Sequence, residues 1–269
     1  MSANLDQIVA ATRRRVEKTR SITDLRDLER RASLHVPRGF RQALKNKGQS
    51  GIAVISELKK ASPSRGLIRA DFHPAQLAKE LEQTGAAALS VLTDEEFFQG
   101  SLQNLEVASA NVKIPCLRKD FMIDEFQVLE ARAYSADAIL LIVAALTQTE
   151  LTMLSRVAKE HGLDVLCEVH DGEELQRALD AGCDLIGVNS RDLRTFKVDL
   201  QTAFQLAQKM PKNVLSVAES GIHNGANMAR LRGAGYGAFL IGESLMKEKS
   251  PGEMLKKLLA EAMAPVASV

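Results

Sequence analysis

The stretch ISELKKASPSRG, Ile55 to Gly66, reads as a strand that ends in chemistry. With Ile52 and Val54 just ahead of it, Ile55 supplies the β-branched apolar material that strands favour. Glu57 and Lys59 fall two apart, which places both side chains on one face of a strand. A charge buried at the end of a core strand is costly unless paired. The pair is therefore either a site or a salt bridge at a strand end. The strand runs into SPSRG and not into a GxGxxG fingerprint, which counts against a doubly wound nucleotide-binding sheet.

Outward from this stretch the pattern alternates. Apolar runs recur near 52–58, 87–92, 115–118, 137–143, 164–168, 184–188, 214–218 and 237–241. Helical segments separate them, among them 74–85, 124–135, 147–162 and 171–182, and a final helix is expected over Pro251 to Met263. Several of these segments end in Gly, the favoured residue just past a helix. Strands alternating with helices mean a parallel sheet. Eight such units in roughly 220 residues fit a (β/α)8 barrel of the TIM type. One barrel domain over 1–269 is expected, with residues 1–48 as a helical extension packed on it. In that extension Leu5, Ile8, Val9 and Val16 form an apolar stripe, Ser21 and Thr23 are placed to cap a second helix, and Gly48 to Gly51 break the chain. Arg26, Arg30, Arg31, Arg38 and Arg41 read as a solvated face.

Composition narrows the function. With 35 basic and 34 acidic residues, the chain offers no electrostatic case for nucleic acid or an anionic membrane. Cys116, Cys167 and Cys183 form no CxxC pair, which argues against zinc and disulfides and fits a reducing compartment. No signal peptide and no membrane-length apolar run are evident, so a soluble, cytoplasmic protein is expected. His73, His161, His170 and His223 show no metal-ligand spacing and read as surface residues.

In a barrel of this kind the active site lies at the C-terminal ends of the strands. Those ends carry Glu57, Lys59 and Ser62 after the first run and Lys119 with Phe121 after the third. Glu168 closes the fifth, Asn189 and Arg191 the sixth, Glu219, Ser220 and Gly221 the seventh, and Gly242 and Glu243 the eighth. The second and fourth end without comparable charge. Two lysines and three glutamates on one rim point to acid–base chemistry. A lysine held among other cations is expected to fall in pKa toward the operating pH. Gly221 and Gly242 follow the last two runs, where barrels often hold a phosphate on backbone N–H groups. Phe97, Phe98 and Phe121 read either as core or as a stacking surface for an aromatic substrate.

Taken together, ISELKKASPSRG, SVLTDEEFFQGS, LRKDFMID, AILLIVAAL, GVNSRDL, AESGI and FLIGESLM resemble the indole-3-glycerol phosphate synthase family over essentially the whole chain. The resemblance implies a (β/α)8 barrel with N-terminal helices. It implies ring closure, decarboxylation and dehydration of 1-(2-carboxyphenylamino)-1-deoxyribulose 5-phosphate in tryptophan biosynthesis. It implies no cofactor, no metal and a phosphorylated small-molecule substrate; association with other tryptophan-pathway enzymes is left open. By the same resemblance Lys119 is the general acid, and Lys59 pairs with the substrate carboxylate and protonates the leaving hydroxyl. Glu168 and Glu57 share charge stabilisation and proton removal, a division the resemblance leaves open. Asn189 and Arg191 hold the anthranilate end and hydroxyls; Glu219 and Ser220 bind the ribulose chain or order the lysines. Ser62, Gly221, Gly242 and the backbone of Glu243 cradle the phosphate, the Glu243 side chain pointing away; Phe98, Phe121, Leu140 and Leu193 wall the aromatic ring.

Two rival readings remain on the same barrel. Phosphoribosylanthranilate isomerase chemistry prefers an Asp/Cys pair, where the first run here offers Glu57 and Lys59. A non-catalytic phosphate-ligand scaffold predicts binding without turnover. The segment Ser62 to Arg69 is expected to order over bound substrate.

Overall fold

The computed structural model describes residues 4–193 and 195–264; the ends of the expected domain span, 1–3 and 265–269, lie outside them. Eight parallel strands close into a barrel: β1 Ala53–Leu58, β2 Ala88–Leu92, β3 Cys116–Lys119, β4 Ala138–Ile142, β5 Asp164–Val169, β6 Leu185–Asn189, β7 Leu215–Glu219 and β8 Ala238–Ile241. The neighbours run in chain order, and β1 closes the ring by pairing with both β8 and β2. A small antiparallel pair, Ala61–Ser62 with Gly66–Leu67, stands over the end of β1.

Period-2 alternation splits each strand between two cores. Val54, Leu58, Leu89, Val91, Cys116, Ile139 and Leu141 face the surrounding helices. Ala53, Ile55, Leu117, Leu140, Leu166, Leu185, Val217 and Leu240 fill the barrel interior. Each large side chain buried this way contributes about 1.5–3 kcal/mol. The inward parity continues up the strands to Glu57, Lys119, Glu168, Asn189 and Glu219. The apolar lattice that stabilises the barrel thereby also aims its polar tips.

Three further helices, α1 Leu5–Ile22, α2 Leu25–Leu34 and α3 Phe40–Ser50, precede the barrel. The second is capped by Asp24, whose carboxylate accepts from the Arg26 N–H at 2.9 Å, and not by Ser21 or Thr23. Those two hydroxyls instead donate to Lys18 and Thr19 carbonyls at the end of α1. Gly48 does not break the chain; it lies inside α3, where a Cβ would come 3.1 Å from the Gly237 carbonyl oxygen.

The arginines of the extension are clamps more than a solvated face. Arg38 grips Asp137, just ahead of β4, through Nε at 3.0 Å and a second guanidinium nitrogen at 2.5 Å. That second nitrogen also donates to the Ser109 hydroxyl, and the third donates to the Ser109 and Val112 carbonyls. Arg41 pairs with Asp184 at 3.2 Å, and Arg31 with Glu106 at 2.9 Å while lying over the Tyr134 ring. Arg30 stays on the surface, paired with Asp27. Phe40 and Leu44 of α3 are fully buried against the barrel interior, closing its N-terminal end. At the opposite end Arg15 of α1 donates to Asp94 at 3.1 Å and Asp120 at 2.7 Å, beyond β2 and β3. The extension thus spans the barrel from its closed end to its open one. Among the described residues no helix is long and apolar enough to cross a membrane.

Candidate active site

At the C-terminal ends of the strands lies a cleft of about 870 Å³, open to solvent. Of the expected site residues, Glu57, Lys59, Ser62, Phe98, Lys119, Phe121, Leu140, Glu168, Asn189, Arg191, Leu193, Glu219, Ser220 and Glu243 all line it. The centre is Lys119. Its ammonium donates to Glu168 Oε2 at 2.7 Å and to Glu219 Oε2 at 3.3 Å. Asn189 Nδ2 donates to the other oxygen of Glu168 at 3.1 Å. Across the cleft Lys59 pairs with Glu57 at 2.6 Å: the two form an ion pair at the strand end, and both line the cleft.

Electrostatics follow from burial and neighbours. Burial alone would lower the Lys119 ammonium, but the charges of Glu168, Glu219 and Glu57 outweigh it and hold the pKa above the ordinary value. This corrects the sequence expectation, because the lysine sits among carboxylates and not among cations. Burial pushes Glu168 up, yet the charges of Lys119 and His170 bring it down to about 2. Burial, joined by repulsion from Glu168 and Glu57, pushes Glu219 up to about 8 against the pull of Lys119. Two carboxylates on one lysine are driven apart in this way when their surroundings differ. Glu219 Oε1 is buried and makes no hydrogen bond among the described residues.

Two glycines make this packing possible. The inward position of β6 below Asn189 is Gly187, where a Cβ would lie 1.9 Å from Glu219 Oε1. The inward position beyond β8 is Gly242, where a Cβ would lie 2.3 Å from Glu57 Oε1. Gly242 and Gly221, expected in a phosphate cradle, do not line the cleft. The vacant side-chain position of Gly242 is taken up by Glu57. Gly221 and Ser220 take left-handed backbone, φ 75° and 64°, which for Ser220 is strained.

Glu243 departs from expectation. Its side chain lines the cleft, drawn there by Arg65 at 3.1 Å and Arg191 at 3.6 Å. The aromatic wall is Phe98 tilted against Phe121, ring centroids 6.3 Å apart, while Phe97 packs toward the barrel interior.

Several cleft residues escape a reading of the sequence. Asp94 lies two residues beyond β2, is buried, and accepts from the Phe97 and Phe98 N–H groups at 2.7 and 3.3 Å. With Asp120, which accepts from the Phe121 N–H at 2.9 Å, it ties the aromatic wall to Arg15. Pro63, Ser64, Leu92, Ile142, Phe196 and Leu240 complete the lining. His170 is not a surface residue: it packs behind Glu168, with Nε2 3.5 Å from Oε1. The sequence does carry a signal for it, since Leu166, Glu168 and His170 share one parity. His73 and His223 are exposed, and His161 is partly so. Among the described residues no group of three or more His, Cys, Asp or Glu is arranged to hold a metal ion.

The family model for indole-3-glycerol phosphate synthase matches residues 5–258. A relative of that name from Koribacter versatilis is 59% identical over 259 residues, covering 96% of this chain and 100% of its own. Another from Dechloromonas aromatica is 47% identical over 262 residues, covering 97% and 100%. Among solved structures, thiamine phosphate pyrophosphorylase from Pyrococcus furiosus superposes with a TM-score of 0.61 at 15% identity, covering 82% of this chain and 100% of its own. KGPDC from Streptococcus mutans gives 0.62 at 12% identity, covering 78% and 96%. At such identities these two structures share the barrel alone. The near full-length family match and the 59% identical relative are what decide the assignment: this chain belongs to the indole-3-glycerol phosphate synthase family.

Proposed function

We propose that the cleft carries out ring closure, decarboxylation and dehydration of 1-(2-carboxyphenylamino)-1-deoxyribulose 5-phosphate, giving indole-3-glycerol phosphate, carbon dioxide and water. Family membership supports the reaction. The observation that carries the site reading is Lys119 held between Glu168 and Glu219 beside an aromatic wall.

In this reading Lys119 gives its proton to the ribulose carbonyl oxygen as the aromatic ring carbon attacks. Its raised pKa keeps it an ammonium at any working pH. It therefore yields the proton only as the oxygen becomes an alkoxide, a far stronger base. Lys59 leaves Glu57 to meet the substrate carboxylate, and later protonates the departing hydroxyl. Glu168 is ionised at rest, which suits it to stabilise the cationic intermediate; it and Glu57 are the two candidates for removing the proton in dehydration. Glu219, with Oε1 free of hydrogen bonds and a proton held near neutrality, suits a ribulose hydroxyl.

Asn189 keeps Glu168 turned toward Lys119. Phe98, Phe121, Leu140 and Leu193 wall the anthranilate ring; Arg191, which the resemblance puts at the anthranilate end, pairs with Glu243, and with Ser62 and Ser220 it lines the end of the cleft that receives the phosphate in this reading. To bind there the phosphate displaces the Glu243 carboxylate from the arginines.

The test is incubation of purified protein with the carboxyphenylamino-deoxyribulose phosphate, followed by indole fluorescence. The chain contains no tryptophan, so the signal belongs to product. Sustained product formation is expected. Tight binding without product would instead make the cleft a phosphate-ligand scaffold.

A further inference from the structure

The reaction consumes a proton that the cleft must replace on every turnover. The substrate carries a carboxylate that leaves as neutral carbon dioxide, so the product has one negative charge fewer. Two protons go onto the ribulose oxygen to make water, one at ring closure and one at dehydration. One comes back from the carbon that is deprotonated as the indole forms. The balance is one proton taken from solvent. Yet Lys119, the donor at ring closure, has only 13% of its side chain exposed, and Glu168 and Glu219 have 2% each. With substrate over them, the lysine needs a route other than the cleft mouth.

Behind Glu168 such a route is built. His170 directly follows Val169, the last residue of β5, and keeps the parity of Glu168 two residues before it. Its Nδ1 is 2.9 Å from Glu174 Oε2, and its backbone N–H donates to the same oxygen at 2.7 Å, which fixes the ring. Its Nε2 points to Glu168 Oε1 at 3.5 Å and is buried without a hydrogen bond. His170 also lines a neighbouring cavity with Asp6, Asp171, Glu174, Ser190 and Lys197, which adjoins the substrate cleft at Asn189 and Leu193 but does not include Lys119 or Glu168.

We propose that His170 relays a proton from this outer cavity through Glu168 to Lys119, restoring the ammonium that ring closure spends. The proposal rests on the assignment of Glu168 and Lys119 to the reacting cluster. Nε2–H of the imidazolium passes its proton to Glu168 Oε1, a turn of the carboxyl hands it to Lys119 Nζ, and the neutral ring, keeping Nδ1–H on Glu174, takes a new Nε2 proton from solvent of the outer cavity before the next turnover. No bond other than N–H and O–H is made or broken, and one proton enters per turnover. The 3.5 Å gap closes to hydrogen-bonding reach as substrate binds, as such contacts commonly do.

The charges around the ring favour the donor form. Glu174 from the following helix, Glu168 from its own strand and Glu219 from β7 all face it, and together they overcome burial to raise its pKa. While Lys119 is charged, Glu168 has no use for the proton. Once Lys119 has given its proton away, the cation that holds Glu168 down is gone, and the transfer runs forward. His170 is thus a positioning and relay residue; it does not touch substrate.

The test is His170→Ala in the full-length enzyme, with His170→Gln as a partner that preserves side-chain bulk, and Lys119→Ala as control. The expected result is a fall in kcat of about 10- to 100-fold, at the low end of what a lost acid–base group costs, with KM within about threefold. Added imidazole restores kcat of His170→Ala in a saturable manner but not that of Lys119→Ala. The solvent deuterium isotope effect on kcat rises in both His170 variants. A kcat close to wild type in His170→Ala would overturn the relay. So would a fall in kcat that imidazole does not rescue, with an unchanged isotope effect in His170→Gln. If Lys119→Ala itself turns over at the wild-type rate, the cluster assignment fails and not the relay alone.

Discussion

A Cβ atom on Gly187 would lie 1.9 Å from Oε1 of Glu219. The strand position directly beneath Asn189 is empty so that the carboxylate from the neighbouring strand can fold into it. Gly187 pairs in register with Val217, and Asn189 with Glu219, so the glycine sits one inward step below the carboxylate it accommodates. Neither backbone freedom nor a turn requires glycine there; the requirement is volume. Gly187→Ala should therefore push Glu219 off Lys119 while the barrel still folds, at a stability cost of about 1–3 kcal/mol for overpacking. We expect kcat to drop by about 100-fold or more, as when a positioned acid–base group is lost. Steady-state kinetics alongside far-UV circular dichroism checks both halves; full activity would show that Glu219 tolerates displacement.

Arg15 belongs to the extension, yet it acts on the cleft. It holds Asp94 and Asp120, and those two carboxylates fix the backbone that carries Phe98 and Phe121. Arg15→Ala should loosen the aromatic wall and leave two buried carboxylates unpaired. KM for the anthranilate-bearing substrate should rise about 5- to 30-fold, the range expected for about 1–2 kcal/mol of lost binding, with a smaller change in kcat. An unchanged KM would mean the wall holds without the extension.

Asp137 anchors the closed end of the barrel. Its carboxylate is fully buried and takes hydrogen bonds from Arg38, His35 and the Cys116 N–H. Removing it leaves Arg38 partly buried without its partner, so Asp137→Ala should destabilise the fold by about 3 kcal/mol in a urea titration. Burial would raise the Asp137 pKa, but the His35 and Arg38 bonds outweigh it and hold the group below its ordinary value. The contribution is then present above the unfolded carboxylate pKa, and is lost as pH falls through the lower folded one. Wild type should lose stability on acidification more steeply than the variant.

Glu219 works in the opposite sense. Its pKa near 8 lies above the ordinary carboxylate value, so between about pH 4.5 and 8 the folded chain holds a proton that the unfolded chain releases. Stability from this group falls as pH rises through that window. The kcat profile should break near pH 8 as the coupled cluster loses that proton, and Glu219→Gln, which cannot lose it, should abolish the break. A break that persists in Glu219→Gln belongs to another group.

Which features are legible in the sequence depends on which interactions are local. The eight strands are visible as short apolar runs, and their inward parity is enough to place Glu57, Lys119, Glu168, Asn189 and Glu219 on one rim. The pairing of Glu243 with Arg65 and Arg191 depends on three loops meeting, and the notch at Gly187 on strand register. Arg15 reaches its two carboxylates from 79 and 105 residues away along the chain, a distance no period spans. His170 is legible by parity, but a search for metal-ligand spacing overlooks it. The environment of Lys119 is hidden for a similar reason: counting charges on the rim does not tell which of them touch.

Lys119, clasped by Glu168 and Glu219, is the group proposed to protonate the substrate carbonyl during ring closure. Comparing wild type with Lys119→Ala in single-turnover conditions tests that role most directly, with substrate binding measured on the same samples. The variant is expected to bind substrate still and to form product at least about 1,000-fold more slowly, consistent with loss of a general acid in an electrostatically tuned site. Product formation within about tenfold of wild type, less than the loss of a general acid costs, would place the proton donor elsewhere and contradict the claim.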